Sequence, residues 1–315
     1  MAFYLAPIAN GLGDLIVSLP AVQALIATGE PTYLVTRSPR QELGNLIEGL
    51  AGSIRECDFD QATLTDKDTY YNLRAHPLQS DYIWGSEEFE TKYPGFKIND
   101  VLKGICKDYA IHADFDNLIP LKFNRCPGSE KRIVFIPGSG GIVKCWPAAQ
   151  WLKLASLLSS RGYEIVVIGK PEQSEIVQAL VQTDLLHLPT PAFSKALDVI
   201  SSSACVVAVD TGLMHLAVNQ GIPTVALFRY NTMFERAYSH VRTLVARVCD
   251  AACLEREYSD VPNKMLEYPW HEGSYMYWGT WKCAVENEQD RCMTSIKPEV
   301  VRDSVDELLR HPAQI

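Results

Sequence analysis

Short runs of consecutive apolar residues alternate along the chain with longer stretches in which apolar positions recur every three or four residues, and glycine-rich turns separate them. That alternation predicts parallel strands each followed by a covering helix, an α/β protein. FYLAPIA (3–9) reads as a strand, GLGD (11–14) as a turn, and residues 15–26 as a helix apolar nearly all round and therefore buried, with Pro20 kinking it or standing in its first turn after Ser18. PTYLVTR (31–37) restarts the series. In the second half IVFIP (133–137), EIVVIGK (164–170), VVAV (206–209) and TVALF (224–228) read as strands. WPAAQWLKLASLLSSRG (146–162) reads as a helix with Pro147 in its first turn and Gly162 past its end, and residues 174–181 as another. KPEVVRDSVDELL (297–309) places Val300, Val301, Val305, Leu308 and Leu309 on one face of a docking helix, Pro298 in its first turn. Residues 55–125 carry turn chemistry and weak periodicity, and no elements are assigned there.

A length of 315 residues suits two domains with a cleft between them, and the composition shift around FNRCPGSEKR puts the boundary near 120–130. Hydrophobic content of 47% and charged content of 21% are those of an ordinary folded protein. A formal charge of −9 argues against a nucleic-acid partner, whose phosphates demand dense lysine and arginine. No basic leader or membrane-length apolar run is present, so a cytoplasmic protein without a transmembrane segment is expected, with peripheral contact to a membrane-presented acceptor still open. Of nine cysteines, Cys57, Cys106, Cys126, Cys145 and Cys205 are scattered and read as reduced thiols.

Three polar clusters interrupt the apolar pattern at strand ends, where open parallel sheets bind ligands. Asp210-Thr211-Gly212 follows VVAV and precedes a helix, so the amides of Gly212 and Leu213 would meet an anion at a helix N-terminus; the alternative is a plain N-cap by Asp210 or Thr211. His215 is then either part of that site or a satisfied interior histidine. PGSGGIVKCWP (137–147) offers glycines for close approach, the Ser139 hydroxyl and the Lys144 cation, without the Walker spacing; an ordinary loop is the alternative. In NGLGDLIVSLP (10–20), Asp14 either caps the helix or serves as a carboxylate general base facing the cleft. The Asp-x-Asp pairs Asp58/Asp60, Asp66/Asp68 and Asp114/Asp116 are read as solvated surface.

Taken together, G-L-G-D-x5-P-A (11–21), P-G-S-x4-K-x-W-P-x3-W (137–151) and V-D-T-G-L-M-H-L-A-x5-P-T-V-A-L-F (209–228) resemble glycosyltransferase family nine, the ADP-heptose:lipopolysaccharide heptosyltransferase group. The resemblance implies a GT-B fold, two Rossmann-like domains with parallel sheets facing across a cleft. An acceptor-binding domain would span 1–127 and a donor-binding domain 128–298, with a Cys-rich aromatic insertion at 249–292 and a terminal helix at 299–315. It further implies an inverting transfer without a catalytic cofactor, from a nucleotide-diphosphate sugar such as ADP-heptose to a hydroxyl of a glycan, lipopolysaccharide-type or protein acceptor. On that pattern Asp14 is the base and Lys144 the cation on the departing diphosphate. Gly13, Ser139, Asp210, Thr211, Gly212, Leu213 and His215 line the donor. Glu172 holds the ribose, with Glu175 as its fallback. A homo-oligomer is compatible with the pattern. The loop after TVALF departs from it, since Phe228 leads into Arg229-Tyr230-Asn231 rather than Gly-Pro-Thr. Two other readings stay open: a nucleotide-sugar epimerase as a related GT-B enzyme, and a non-catalytic nucleotide-sugar binder if the altered loop at Arg229 has cost turnover.

Cys249-x3-Cys253, Cys283 and Cys292 resemble a structural Zn²⁺ or Fe²⁺ tetrathiolate of some family members, against the alternative of free buried thiols. The aromatic stretch between them reads as a self-packed loop, a protein interface or a sugar-stacking surface.

Overall fold

The structure, a computed structural model, describes residues 1–36, 41–82, 84, 87–122, 129–139, 144–190, 192–229, 232–247 and 291–310. Two compact units divide them, one ending at residue 122 and one starting at 129.

The first unit runs β1 (Phe3–Ala6), α1 (Leu12–Ile26), β2 (Thr32–Thr36), α2 (Gln41–Gly44), β3 (Gly52–Arg55), β4 (Thr69–Asn72), α3 (Pro77–Ser80), α4 (Glu87–Lys92) and α5 (Ile98–Asp108). Its strands are all parallel in the order β3-β2-β1-β4, with Leu5 opposite Leu34 and Tyr71. The order reverses between β1 and β4, so the residues that follow those strands flank one crevice. Helix α1 begins three residues earlier than its pattern predicts: the turn at 11–14 is already its first turn, because the Asp14 carboxylate accepts from the Gly11 amide at 2.8 Å and closes the N-terminus. Pro20 lies inside α1, neither ending it nor standing in its first turn.

Residues 55–125, left unassigned above, hold β4, α3, α4 and α5. Helix α5 buries Ile98, Val101, Leu102 and Ile105 on one stripe, and Asp100 accepts from the Lys97 amide at 2.9 Å to start it. Five of the Asp-x-Asp carboxylates hold neighbouring chain: Asp58 pairs with Arg55, Asp60 accepts from the Ala62 amide, Asp68 from Thr65 and the Ala2 amide, and Asp114 from Asn117, while Asp116 pairs with Lys103.

The second unit runs β5 (Ser129–Ile136), α6 (Ala148–Ser159), β6 (Glu164–Val167), α7 (Glu175–Val181), β7 (Leu186–His187), α8 (Phe193–Ser201), β8 (Ser203–Val209), α9 (Gly212–Asn219), β9 (Thr224–Phe228), β10 (Val241–Val245) and α10 (Pro298–Arg310). Six parallel strands lie in the order β10-β9-β8-β5-β6-β7. Here the reversal falls between β5 and β8, whose ends carry Ser139 and Asp210. Pro147 occupies the N-cap of α6 rather than its first turn, and Ser174 caps α7 through its hydroxyl. The C-terminal helix joins the main core through Val301, Val305 and Leu308, and its Glu299 and Asp306 pair with Lys153 and Arg161 of the α6 region. Val300, expected on that face, is 49% exposed, one position off the stripe. The helix ends at Arg310, and residues 311–315 of the predicted terminal segment lie outside the described residues.

Candidate active site at the strand-order switch of the second sheet

Why these polar groups gather at one place follows from the sheet. Strands β5 and β8 are neighbours, with Ile136 opposite Ala208, so the loops leaving them emerge side by side. The Ser139 hydroxyl donates to the carbonyl oxygen of Asp210 at 2.9 Å and ties the two loops together. Lys144 Nζ donates to Asp210 Oδ2 at 2.6 Å, and His215 Nε2 stands 3.8 Å from Asp210 Oδ1.

Lys144 owes its place to the tryptophans after it. Trp146 and Trp151 are wholly buried and meet edge to face at 5.2 Å, Trp151 lies 4.9 Å from the Phe135 ring, and the Trp146 indole donates to the carbonyl of Ile296 at 3.1 Å. The Lys-x-Trp-Pro spacing therefore fixes a cation to the core through its second neighbour.

The side chains of Asp210 and Lys144 are 12% and 23% exposed. Burial by itself raises the Asp210 carboxyl pKa, but the Lys144 ammonium, the His215 contact and the Lys144 hydrogen bond outweigh it and hold the pKa well below the usual carboxylate range. Thr211 sits at the N-cap of α9 yet makes no side-chain capping bond. The helical bonding starts with the Met214 and His215 amides donating to the carbonyl of Thr211 at 3.0 and 3.3 Å. The amides of Gly212 and Leu213 have no intrahelical acceptor, as at every helix N-terminus, and carry the positive end of the dipole. Thr211 thus holds the N-cap position without a side-chain cap, and His215 is interior, at 3% exposure.

The remaining predicted residues are placed separately. Glu172 is exposed in the Pro171–Gln173 turn beyond β6, and Glu175 opens α7. Asp14 and Gly13 belong to the first turn of α1 in the first unit, where the capping geometry of Asp14 is realised. Cys249, Cys253 and Cys283 lie outside the described residues; Cys292 is buried in the apolar core of the second unit together with Met293. No group of three or more metal-ligating side chains occurs among the described residues.

Two further contacts lie outside the sequence reading, one at this corner and one at the edge strand of the sheet. The Phe234 ring, in the segment between β9 and β10, lies 6.0 Å from Lys144 Nζ and meets the His215 ring edge to face at 6.1 Å. His187, at the end of β7, has Nε2 3.1 Å from the carbonyl oxygen of Gly169. Only the departure of the post-β9 loop from the family pattern pointed towards the first; nothing in the sequence marked the second.

Comparison with known proteins gives this arrangement its context. Residues 98–260 match glycosyltransferase family 9 (heptosyltransferase). The lipopolysaccharide heptosyltransferase 1 of Pseudomonas aeruginosa is 27% identical over 185 residues, which are 57% of this chain and 48% of that one. The aligned part thus spans about half the length of that relative. A glycosyl transferase family 9 structure from Veillonella parvula superposes with a TM-score of 0.66 at 17% identity, covering 98% of this chain and 97% of the other. The dodecameric iron-containing heptosyltransferase TibC from enterotoxigenic E. coli, solved in complex with ADP-D-β-D-heptose, superposes with a TM-score of 0.63 at 13% identity over 99% and 77% of the two chains. At these identities the likeness carries the fold, GT-B with two parallel-sheet α/β domains. With more than half of its length matched, and with the motifs at 137–151 and 209–228 joined at the strand-order switch of the second sheet, the chain belongs to glycosyltransferase family 9.

Proposed function

We propose that the protein is an inverting glycosyltransferase that moves a sugar, a heptose on the family's pattern, from a nucleoside-diphosphate donor to an acceptor hydroxyl. The observation that carries this reading is the corner where Lys144, Asp210, Ser139 and the N-terminus of α9 meet. A leaving diphosphate is stabilised by fixed amides, a helix dipole and a cation, all of which that corner offers. In this reading the second unit holds the donor, Glu172 reaches the ribose and the first unit holds the acceptor. Asp14 takes the proton from the acceptor hydroxyl as its oxygen forms a bond to the anomeric carbon. The bond from that carbon to the diphosphate oxygen breaks, and the nucleoside diphosphate leaves with the electron pair. Attack from the opposite face inverts the anomeric configuration.

The reading needs no metal for catalysis. A structural Zn²⁺ or Fe²⁺ on Cys249, Cys253, Cys283 and Cys292 is a separate proposal: four thiolates suit a tetrahedral ion, and the burial of Cys292 suits a closed site. Metal content of the purified protein near one ion per chain supports it, and none removes it. No helix among the described residues is long and apolar enough to cross a membrane.

The test is a thermal-shift screen of ADP, UDP, GDP and ADP-heptose, followed by ADP release from ADP-heptose with heptose-deficient lipopolysaccharide or a serine-rich polypeptide as acceptor. Donor-dependent stabilisation, acceptor-dependent ADP release that persists in EDTA, and an inverted product by NMR support the reading. Stabilisation without release under any acceptor favours the non-catalytic binder, and an isomerised nucleotide sugar favours the epimerase.

A further inference from the structure

Arg236 is a buried cation of the second unit. It is only 2% exposed; its Nη2 lies 3.3 Å from the Tyr238 hydroxyl, and among the described residues its Nε and Nη1 have no hydrogen-bond partner. Its Cζ stands 5.2 Å over the Tyr238 ring, and among the described residues it forms no ion pair. Burial pushes the guanidinium pKa down, a direction that only the neighbouring Tyr238 opposes. A buried cation with no anion is costly, and such costs persist where something outside the free chain compensates them.

The position of Arg236 says what that is. Its segment, 232–240, runs along α9: the Phe234 ring packs at His215 and near Lys144, while His240 Nε2 bonds the carbonyl of Val218 at the far end of the helix at 2.9 Å. At the corner itself Lys144 is already neutralised by Asp210 at 2.6 Å. The pair sums to zero, yet the ligand read for this corner carries a diphosphate.

We infer that Arg236 supplies the uncompensated positive charge for the donor's diphosphate, whose oxygens accept from the Nε and Nη1 of its guanidinium. The inference rests on the donor-binding reading above and adds a second cation to it.

Calorimetry of ADP, inorganic pyrophosphate and adenosine against the full chain, wild type and Arg236→Met, tests it. The expected result is a loss of at least tenfold in ADP and pyrophosphate affinity with adenosine binding unchanged. The melting temperature of the ligand-free protein should hold or rise, because methionine fills the volume without a buried charge. ADP and pyrophosphate bound within twofold of wild type, with or without a lowered melting temperature, overturn the inference and leave the donor reading standing. A wild type that binds neither pyrophosphate nor any nucleoside diphosphate overturns both. Should Arg236→Met not fold, Arg236→Lys and Arg236→Gln decide: retention by lysine with loss by glutamine supports the charge role, and equal affinity of the two overturns it.

Discussion

Lys144 Nζ and Asp210 Oδ2 meet at 2.6 Å across 66 residues of sequence, joining the loop after β5 to the loop after β8. Removing one partner leaves the other charge in a largely buried place, which costs about 3 kcal/mol, whereas removing both returns much of it. Lys144→Met should therefore lower stability in urea by about that amount, and Lys144→Met/Asp210→Leu should recover more than half. Neither variant should be stabilised by ADP. A double variant no more stable than the single would show that the pair is not the coupling between the loops.

The same pair sets a pH dependence. The Asp210 carboxyl pKa is lower in the folded protein than in the unfolded chain. Its pairing thus stabilises at pH values above the ordinary carboxylate pKa of about 4, and the contribution is lost as pH falls below it. The melting-temperature gap between wild type and Asp210→Asn should be constant from about pH 7 to 5 and narrow below about pH 4. A gap that widens on acidification would contradict the direction of the shift.

For Asp14 two roles must be separated, because its carboxylate already holds the Gly11 amide at 2.8 Å. Loss of the cap costs about 1 kcal/mol, while loss of a general base costs about 10²- to 10⁴-fold in rate. Asp14→Ala should show both, with the ADP-induced rise in melting temperature intact. Asp14→Asn replaces the carboxylate by an uncharged acceptor and should regain much of the stability but none of the transfer. Transfer restored by asparagine would leave Asp14 a cap only.

Which of these features the sequence made legible follows from their physics. Strands β8 and β9 are continuous apolar runs because a parallel sheet buries both faces, and Asp210 stands out against them as a buried carboxylate must. Helix α5 went unassigned although Ile98, Val101, Leu102 and Ile105 repeat at helical spacing, since charged residues fill its other face and dilute the apolar count. The N-terminus of α1 is hidden in the sequence because Gly11 and Gly13, at its N-cap and in its first turn, mimic a loop, and only the bond of the Gly11 amide to Asp14 marks where the helix starts. Phe234 and Arg236 act through tertiary contacts from a segment without periodicity, and a sequence offers no signal for an orphaned guanidinium.

Gly169 tests how tightly the loop beyond β6 is held. Its φ is +138°, where L side chains are strained, and a Cβ there would stand 2.9 Å from Val177 Cγ2 on α7. Gly169→Ala should destabilise by about 2 kcal/mol. Pairing it with Val177→Ala should relieve the collision but not the backbone strain, so the second substitution should recover only part of what the first loses. Full recovery, measured by urea unfolding of single and double variants, would mean that the backbone there is not strained.

Trp146 links the site to the C-terminal helix, and its substitution separates packing from positioning. Its indole N–H donates to the carbonyl of Ile296, two residues before α10, while Lys144 lies two residues before it in the other direction. Trp146→Phe keeps an aromatic ring but leaves that carbonyl without its donor, at a cost of about 1–3 kcal/mol. Because the same ring fixes the chain beside Lys144, the variant should also bind ADP several-fold more weakly under conditions where it is fully folded. Trp151→Phe is the control: Trp151 packs on Trp146 and Phe135 from within α6, so it should lose stability while keeping ADP affinity. If both variants bind ADP as the wild type does, the tryptophan serves the core alone, and Lys144 must be held by its bond to Asp210.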